Sequence, residues 1–85
     1  MVDWHRFAPN EWQIEYDTEK LAAHNVAEWE AAEVVWNRFI VKPNQKKYGA
    51  NRYQIFGRTD AGRPLKLIVH VSGERSMRVI TGWRI

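Results

Sequence analysis

The chain has 85 residues, a length that fits one domain with one small core. Hydrophobic residues make up 45% and charged residues 27%, which excludes a disordered tail and favours a globular domain. It contains no cysteine, so neither a disulfide framework nor a thiolate metal site is available. No apolar run is long enough to span a bilayer, and the N-terminus lacks a basic-then-apolar signal pattern, so the expected compartment is the cytoplasm and no membrane partner is expected.

Charge divides the chain. Residues 1–41 carry 3 Lys and Arg against 8 acids, whereas residues 42–85 carry 10 against 2. An acidic half followed by a basic half points to an anionic partner such as a phosphate backbone. The ordinary alternative is a sheet whose outer face is solvated by Lys and Arg.

Residues 1–11 have no clear period and read as an irregular N-terminal segment of a single domain spanning residues 1–85. Within it, Trp4 and Phe7 are positioned to dock on the core. Residues 12–16 alternate, which predicts a short strand with Trp12, Ile14 and Tyr16 on one face. Asp17 suits a helix N-cap, opening a helix over 18–24 anchored by Leu21 and closed by Asn25 in a left-handed conformation. A second helix is predicted over 27–37. There Trp29, Ala32, Val35 and Trp36 fall at helical spacing and read as its core face, leaving Glu28, Glu30 and Glu33 to solvent.

An extended segment over 39–42 is halted by Pro43, and residues 44–51 read as a basic loop with Lys46 and Lys47 beside Tyr48. Residues 53–58, 65–71 and 77–84 are predicted strands, joined at Asp60-Ala61-Gly62 and Ser72-Gly73-Glu74. On the second of these strands Leu65, Leu67, Val69 and Val71 share one face and Lys66, Ile68 and His70 the other. On the third, Met77 and Val79 oppose Arg78, Ile80 and Arg84. Strand, two helices and an antiparallel meander define the class as α+β.

The three histidines, His5, His24 and His70, lack a metal-binding spacing, so no metal or other cofactor is expected. Ser72 and Ser76 stand outside any nucleophile-elbow sequence. What remains is a cationic sheet with one or two imidazoles, a set suited to cleaving RNA. The ribose 2′-OH attacks its own phosphorus, so the protein need only align the chain, stabilise charge and move protons. Arg58, Arg78 and Arg84 suit phosphate contacts, and His24 or His70 proton transfer. Arg52, Lys66, His70, Lys46 and Lys47 extend the same basic surface. Each has an ordinary reading beside it: His24 as a helix-end residue, His70 as an exposed strand residue, Arg58 as the partner of a helix carboxylate.

Two segments carry a family likeness. The first runs from Tyr16-Asp17 and Lys20 through His24-Asn25-Val26 to the Glu/Ala-rich stretch 28–35. The second is Gly57-Arg58-Thr59-Asp60-Ala61-Gly62-Arg63-Pro64-Leu65, the strand to Val71, and Arg78-Val79-Ile80-Thr81. In order and spacing they resemble the BrnT family of type II toxins, which are ribonucleases related in fold to RelE toxins. Trp83, Lys66 and His70 depart from the family pattern. The resemblance implies two helices packed on one face of a curved antiparallel sheet, with an RNA cleft on the other. It also implies a metal-independent endoribonuclease toxin whose partner is a small DNA-binding, BrnA-like antitoxin in a toxin–antitoxin hetero-oligomer. The matching site positions are His24, Arg58 and Arg78, with Arg84 near the family's C-terminal basic residues. A second reading is a non-catalytic RNA- or protein-binding module of the same fold.

Overall fold

The structure is a computed structural model that describes residues 2–43 and 51–85. The expected loop lysines Lys46 and Lys47 lie outside the described residues. Two single 3-10 turns, Trp4–Arg6 and Pro9–Glu11, precede strand β1, Gln13–Tyr16. Helices α1, Thr18–Ala22, and α2, Glu28–Trp36, follow. The chain then runs through β2, Phe39–Pro43; β3, Arg52–Arg58; β4, Pro64–Gly73; and β5, Ser76–Arg84. The class is α+β, as the element order predicts.

The sheet order is β1-β5-β4-β3-β2. Strands β3 to β5 form the expected antiparallel meander, and the extended segment before them joins it as β2, antiparallel to β3. The sheet as a whole is mixed rather than antiparallel, because β1 pairs with β5 in parallel, Gln13 opposite Ser76 through Tyr16 opposite Val79. The intervening chain, with two helices, supplies the long crossover that a parallel pair requires.

The core gathers Leu21 from α1 and Ala31, Val34 and Val35 from α2 onto Ile55, Leu65, Leu67, Val69, Met77 and Val79 of the sheet. Burying a side chain such as Leu21 contributes roughly 2 kcal/mol. Both helices are short and do not cover the full length of the strands. The N-terminal segment fills the remainder, where Trp4, Phe7 and Trp12 cluster with Phe39 and Tyr53 at ring-centre distances of 5.1–6.1 Å. This is the docking expected of Trp4 and Phe7.

The core face of α2 differs from the expected one. Ala31, Val34 and Val35 are buried, whereas Trp29 and Trp36 are 63% and 60% exposed. Gly57, lacking a side chain, lets the inner stripe of α2 come close to the sheet. Its Cα carries no methyl at a point where one would stand 3.0 Å from Val34 Cγ1, so α2 sits close on the sheet and only small residues fit its inner stripe.

Asp17 caps α1, its Oδ1 accepting from Lys20 N at 3.1 Å, and Asn25 ends the turn after it at φ 60°. The C-terminal end of α2 is tied to the β3–β4 turn. Asn37 Nδ2 donates to Asp60 Oδ1 at 2.8 Å, and Asp60 N donates to Glu33 Oε1 at 3.0 Å. Gly62 holds φ at 89° in that turn, a value glycine adopts without strain. Among the described residues no helix is long and apolar enough to cross a membrane.

Candidate functional site

Register fixes what the second face of the sheet displays, since directly opposed residues project to the same side. Across β5, β4 and β3, one row is Arg78, His70 and Arg52. The next is Thr81, Ile68 and Gln54, and the third is Trp83, Lys66 and Phe56. Strand β2 adds Lys42 beside Gln54 and Ile40 beside Phe56.

The face assignment of β5 depends on a bulge. Ile68 opposes Thr81 but Val69 opposes Val79, so Ile80 is an extra residue on β5. Beyond it the alternation changes parity. Trp83 therefore shares a face with Lys66, whereas Arg84 opposes the core residue Leu65. The expectation that Arg78, Ile80 and Arg84 share one face is corrected by this insertion.

Strand β1 stops opposite Val79, where Asp17 N donates to Val79 O at 2.9 Å. The rest of β5 has α1 along its side instead of a strand. This brings His24, two residues past the helix end, against Trp83 at a ring-centre distance of 5.7 Å. A cleft of about 510 Å³ opens there. Lys20, Arg52 and Lys66 supply its cations, His24 an imidazole, Gln54 and Thr81 its neutral polar groups, and Ile68, Ile80 and Trp83 its apolar surface. No carboxylate lines it among the described residues. The Lys66 ammonium lies 5.2 Å from the Trp83 ring centre and 5.5 Å from that of Phe56, and Lys42 is also 5.5 Å from Phe56.

The sequence-selected residues are only partly brought together. His24, Arg52 and Lys66 share the cleft. His70 and Arg78 occupy the adjoining row, and His70 Nδ1 is buried with no hydrogen-bond partner. Arg78 Nη1 meets Glu15 Oε1 at 3.4 Å and its Nη2 meets Asp17 Oδ2 at 3.5 Å. The backbone hydrogen bond from Lys20, with help from Lys20 and Arg78 charge, holds the Asp17 carboxyl below the usual carboxylate range. Arg58 lies at the end of β3 and donates from Nη1 to Gly62 O at 3.0 Å. Arg58 has no carboxylate partner among the described residues; of the helix carboxylates, Glu30 pairs with Arg63, whose Nη1 is 2.7 Å from both its oxygens. Arg84 is exposed at the end of β5, apart from the cleft lining.

Sequence reasoning passed over Lys20, Gln54, Phe56, Thr81 and Trp83 as site residues. Gln54 and Phe56 were legible as neighbours of Arg52 and Arg58 at period two. Thr81 and Trp83 were hidden by the bulge, and Lys20 by the tertiary placement of α1. No protein-family model, no curated protein and no solved structure matches the chain.

Proposed function

We propose that the protein binds RNA in the cleft between α1 and the open face of the sheet and cleaves it without a metal ion, as a type II toxin of the RelE and BrnT kind. One observation carries this reading. Three cationic side chains, Lys20, Arg52 and Lys66, converge with the His24 imidazole on a cleft lined by no carboxylate among the described residues, beside the half-buried Trp83 indole. A phosphate entering it meets these cations and no lining carboxylate among the described residues, and focused positive charge raises local anion concentration.

In this reading Arg52 and Lys66 hold the scissile phosphate and stabilise the charge that grows on it. The 2′-oxygen forms a bond to phosphorus as the bond to the 5′-oxygen breaks. The 2′-OH proton passes to a base and the 5′-oxygen receives one. His24 is the cleft's imidazole, suited to one of those transfers near neutral pH. Arg78 and His70 extend the backbone track. A small DNA-binding antitoxin, with a surface that masks the cleft, is the partner that belongs to this proposal.

The test is cleavage of end-labelled single-stranded RNA in EDTA, beside the same oligonucleotide with 2′-deoxyribose and beside the H24A, R52A and R58A variants. Cutting that requires the 2′-OH and falls at least tenfold in H24A and R52A supports the reading. Equal cutting by wild type and all three variants overturns it.

The second reading, binding without cleavage, is favoured by the engagement of Arg78 with Glu15 and Asp17, which leaves one fewer cation for a transition state. Salt-dependent RNA binding with no product would select it.

A further inference from the structure

The cation-rich cleft does not use the whole of the open face. Its third row, Trp83 on β5, Lys66 on β4 and Phe56 on β3, sets two aromatic rings on either side of one lysine. Both rings are only half-buried, Phe56 on a strand paired on both sides and Trp83 on the part of β5 that β1 does not reach. Resting on the reading of this face as an RNA surface, we infer that Trp83 and Phe56 are a base-stacking platform for two nucleotides of single-stranded RNA, with Lys66 on the phosphate between them.

The spacing selects the strand form. Phe56 and Trp83 stand two strands apart, roughly 10 Å at ordinary sheet spacing. Successive bases in a duplex are only about 3.4 Å apart along one strand, so a duplex cannot lay neighbouring bases on both rings. An unstacked single strand can splay its bases that far and stack each on an aromatic face.

In the free protein the ring faces are covered by lysine ammonium groups, Lys66 near both rings and Lys42 near Phe56. These are end groups on flexible stems, and exposed cation–π contacts are weak. RNA binding exchanges them for base stacking and leaves Lys66 to meet the phosphate. The indole also touches His24, so the nucleotide on Trp83 is the one next to the cleft's imidazole.

The experiment measures anisotropy of a short fluorescent single-stranded RNA and of an abasic oligonucleotide of equal length and charge. Each is titrated with wild type, F56L and W83L over a series of salt concentrations. Wild type is expected to bind the base-bearing strand about tenfold or more tightly than the abasic one. Each leucine variant is expected to lose most of that preference while its salt dependence stays that of wild type. Thermal melting of the variants confirms that they fold.

Equal wild-type affinity for both oligonucleotides, with a normal salt dependence, overturns the platform and leaves the RNA-surface reading standing. So does a preference that survives in both variants. Absence of salt-sensitive binding to either oligonucleotide overturns both.

Discussion

Arg78 and Asp17 face each other across the parallel seam of the sheet, Nη2 to Oδ2 at 3.5 Å. The other oxygen of the same carboxylate caps α1 by accepting from Lys20 N at 3.1 Å. One aspartate thereby fixes a guanidinium on β5 and the start of the helix that leads to His24. The sheet edge and the cleft wall are held by a shared group.

That sharing has a pH signature. Asp17 is held below the ordinary carboxylate range, first by the Lys20 backbone hydrogen bond and then by nearby Lys20 and Arg78 charge. Glu30 is lowered chiefly by its hydrogen bond with Arg63 and then by that from Ala27 N. Both folded-state values lie below the unfolded ones, near 4. The stability they contribute is therefore complete above that range and is lost as pH falls through the lowered values. D17N keeps a capping side chain but loses the charge. Its thermal midpoint is expected below that of wild type at pH 7 and to converge with it in acid, where Asp17 is neutral. A constant gap at every pH would refute the assignment.

Much of this fold was readable in the chain. The alternation of Leu65, Leu67, Val69 and Val71 fixed one face of β4, and Asp17 and Asn25 marked the ends of the first helical segment. These signals are local, set by side-chain period and capping chemistry. The parallel pairing of β1 with β5 was not readable, because it joins segments about sixty residues apart with no local mark. The bulge at Ile80 was equally silent: one inserted residue moved Trp83 into the site and Arg84 out of it. Trp83 and Thr81 in the cleft were therefore beyond a strict period-two reading, whereas Phe56 and Gln54 were not.

The reversal on α2 separates size from burial. Trp29 and Trp36 are mostly exposed, so W29Q and W36Q are each expected to change stability by no more than about 0.5 kcal/mol. Leu21 is fully buried in the core cluster, and L21A is expected to cost about 3 kcal/mol. Urea denaturation of the three variants checks the contrast. A large loss in either tryptophan variant would restore the Trp29/Trp36 stripe as a core face.

Arg63 pairs with Glu30 in a partly sheltered position, the side chains being 27% and 13% exposed. Glu30 Oε1 also accepts from Ala27 N at 3.1 Å, at the start of α2. Replacing Arg63 with methionine retains an apolar stem and removes the charge. R63M is expected to lose about 1 kcal/mol, the upper part of the range for pairs that water still reaches. It should also move the Glu30 carboxyl back toward its ordinary range, measurable by NMR titration. R63K should recover part of both effects, since an ammonium still supplies the charge. If R63M leaves the Glu30 titration unchanged, Arg63 is not the group that lowers it.

Gly82 is the position where β5 allows no side chain. A methyl built on its Cα would lie 2.5 Å from Leu67 Cδ2, 2.9 Å from Lys66 O and 3.4 Å from Leu21 Cδ2. The leucine end can rotate, but the Lys66 carbonyl belongs to the strand paired with β5 and cannot withdraw without breaking the ladder. G82A is therefore expected to cost about 2–3 kcal/mol, as overpacked core positions do. The strain falls between Lys66 and Trp83, so Lys66 and the indole should separate and the ring should lose its place beside His24. Thermal melting reads the stability loss. Two-dimensional NMR of the indole and His24 ring protons reads the geometry, with their mutual contacts weakened in the variant. An alanine variant as stable as wild type, with those contacts intact, would show that β4 and β5 can part locally at Gly82.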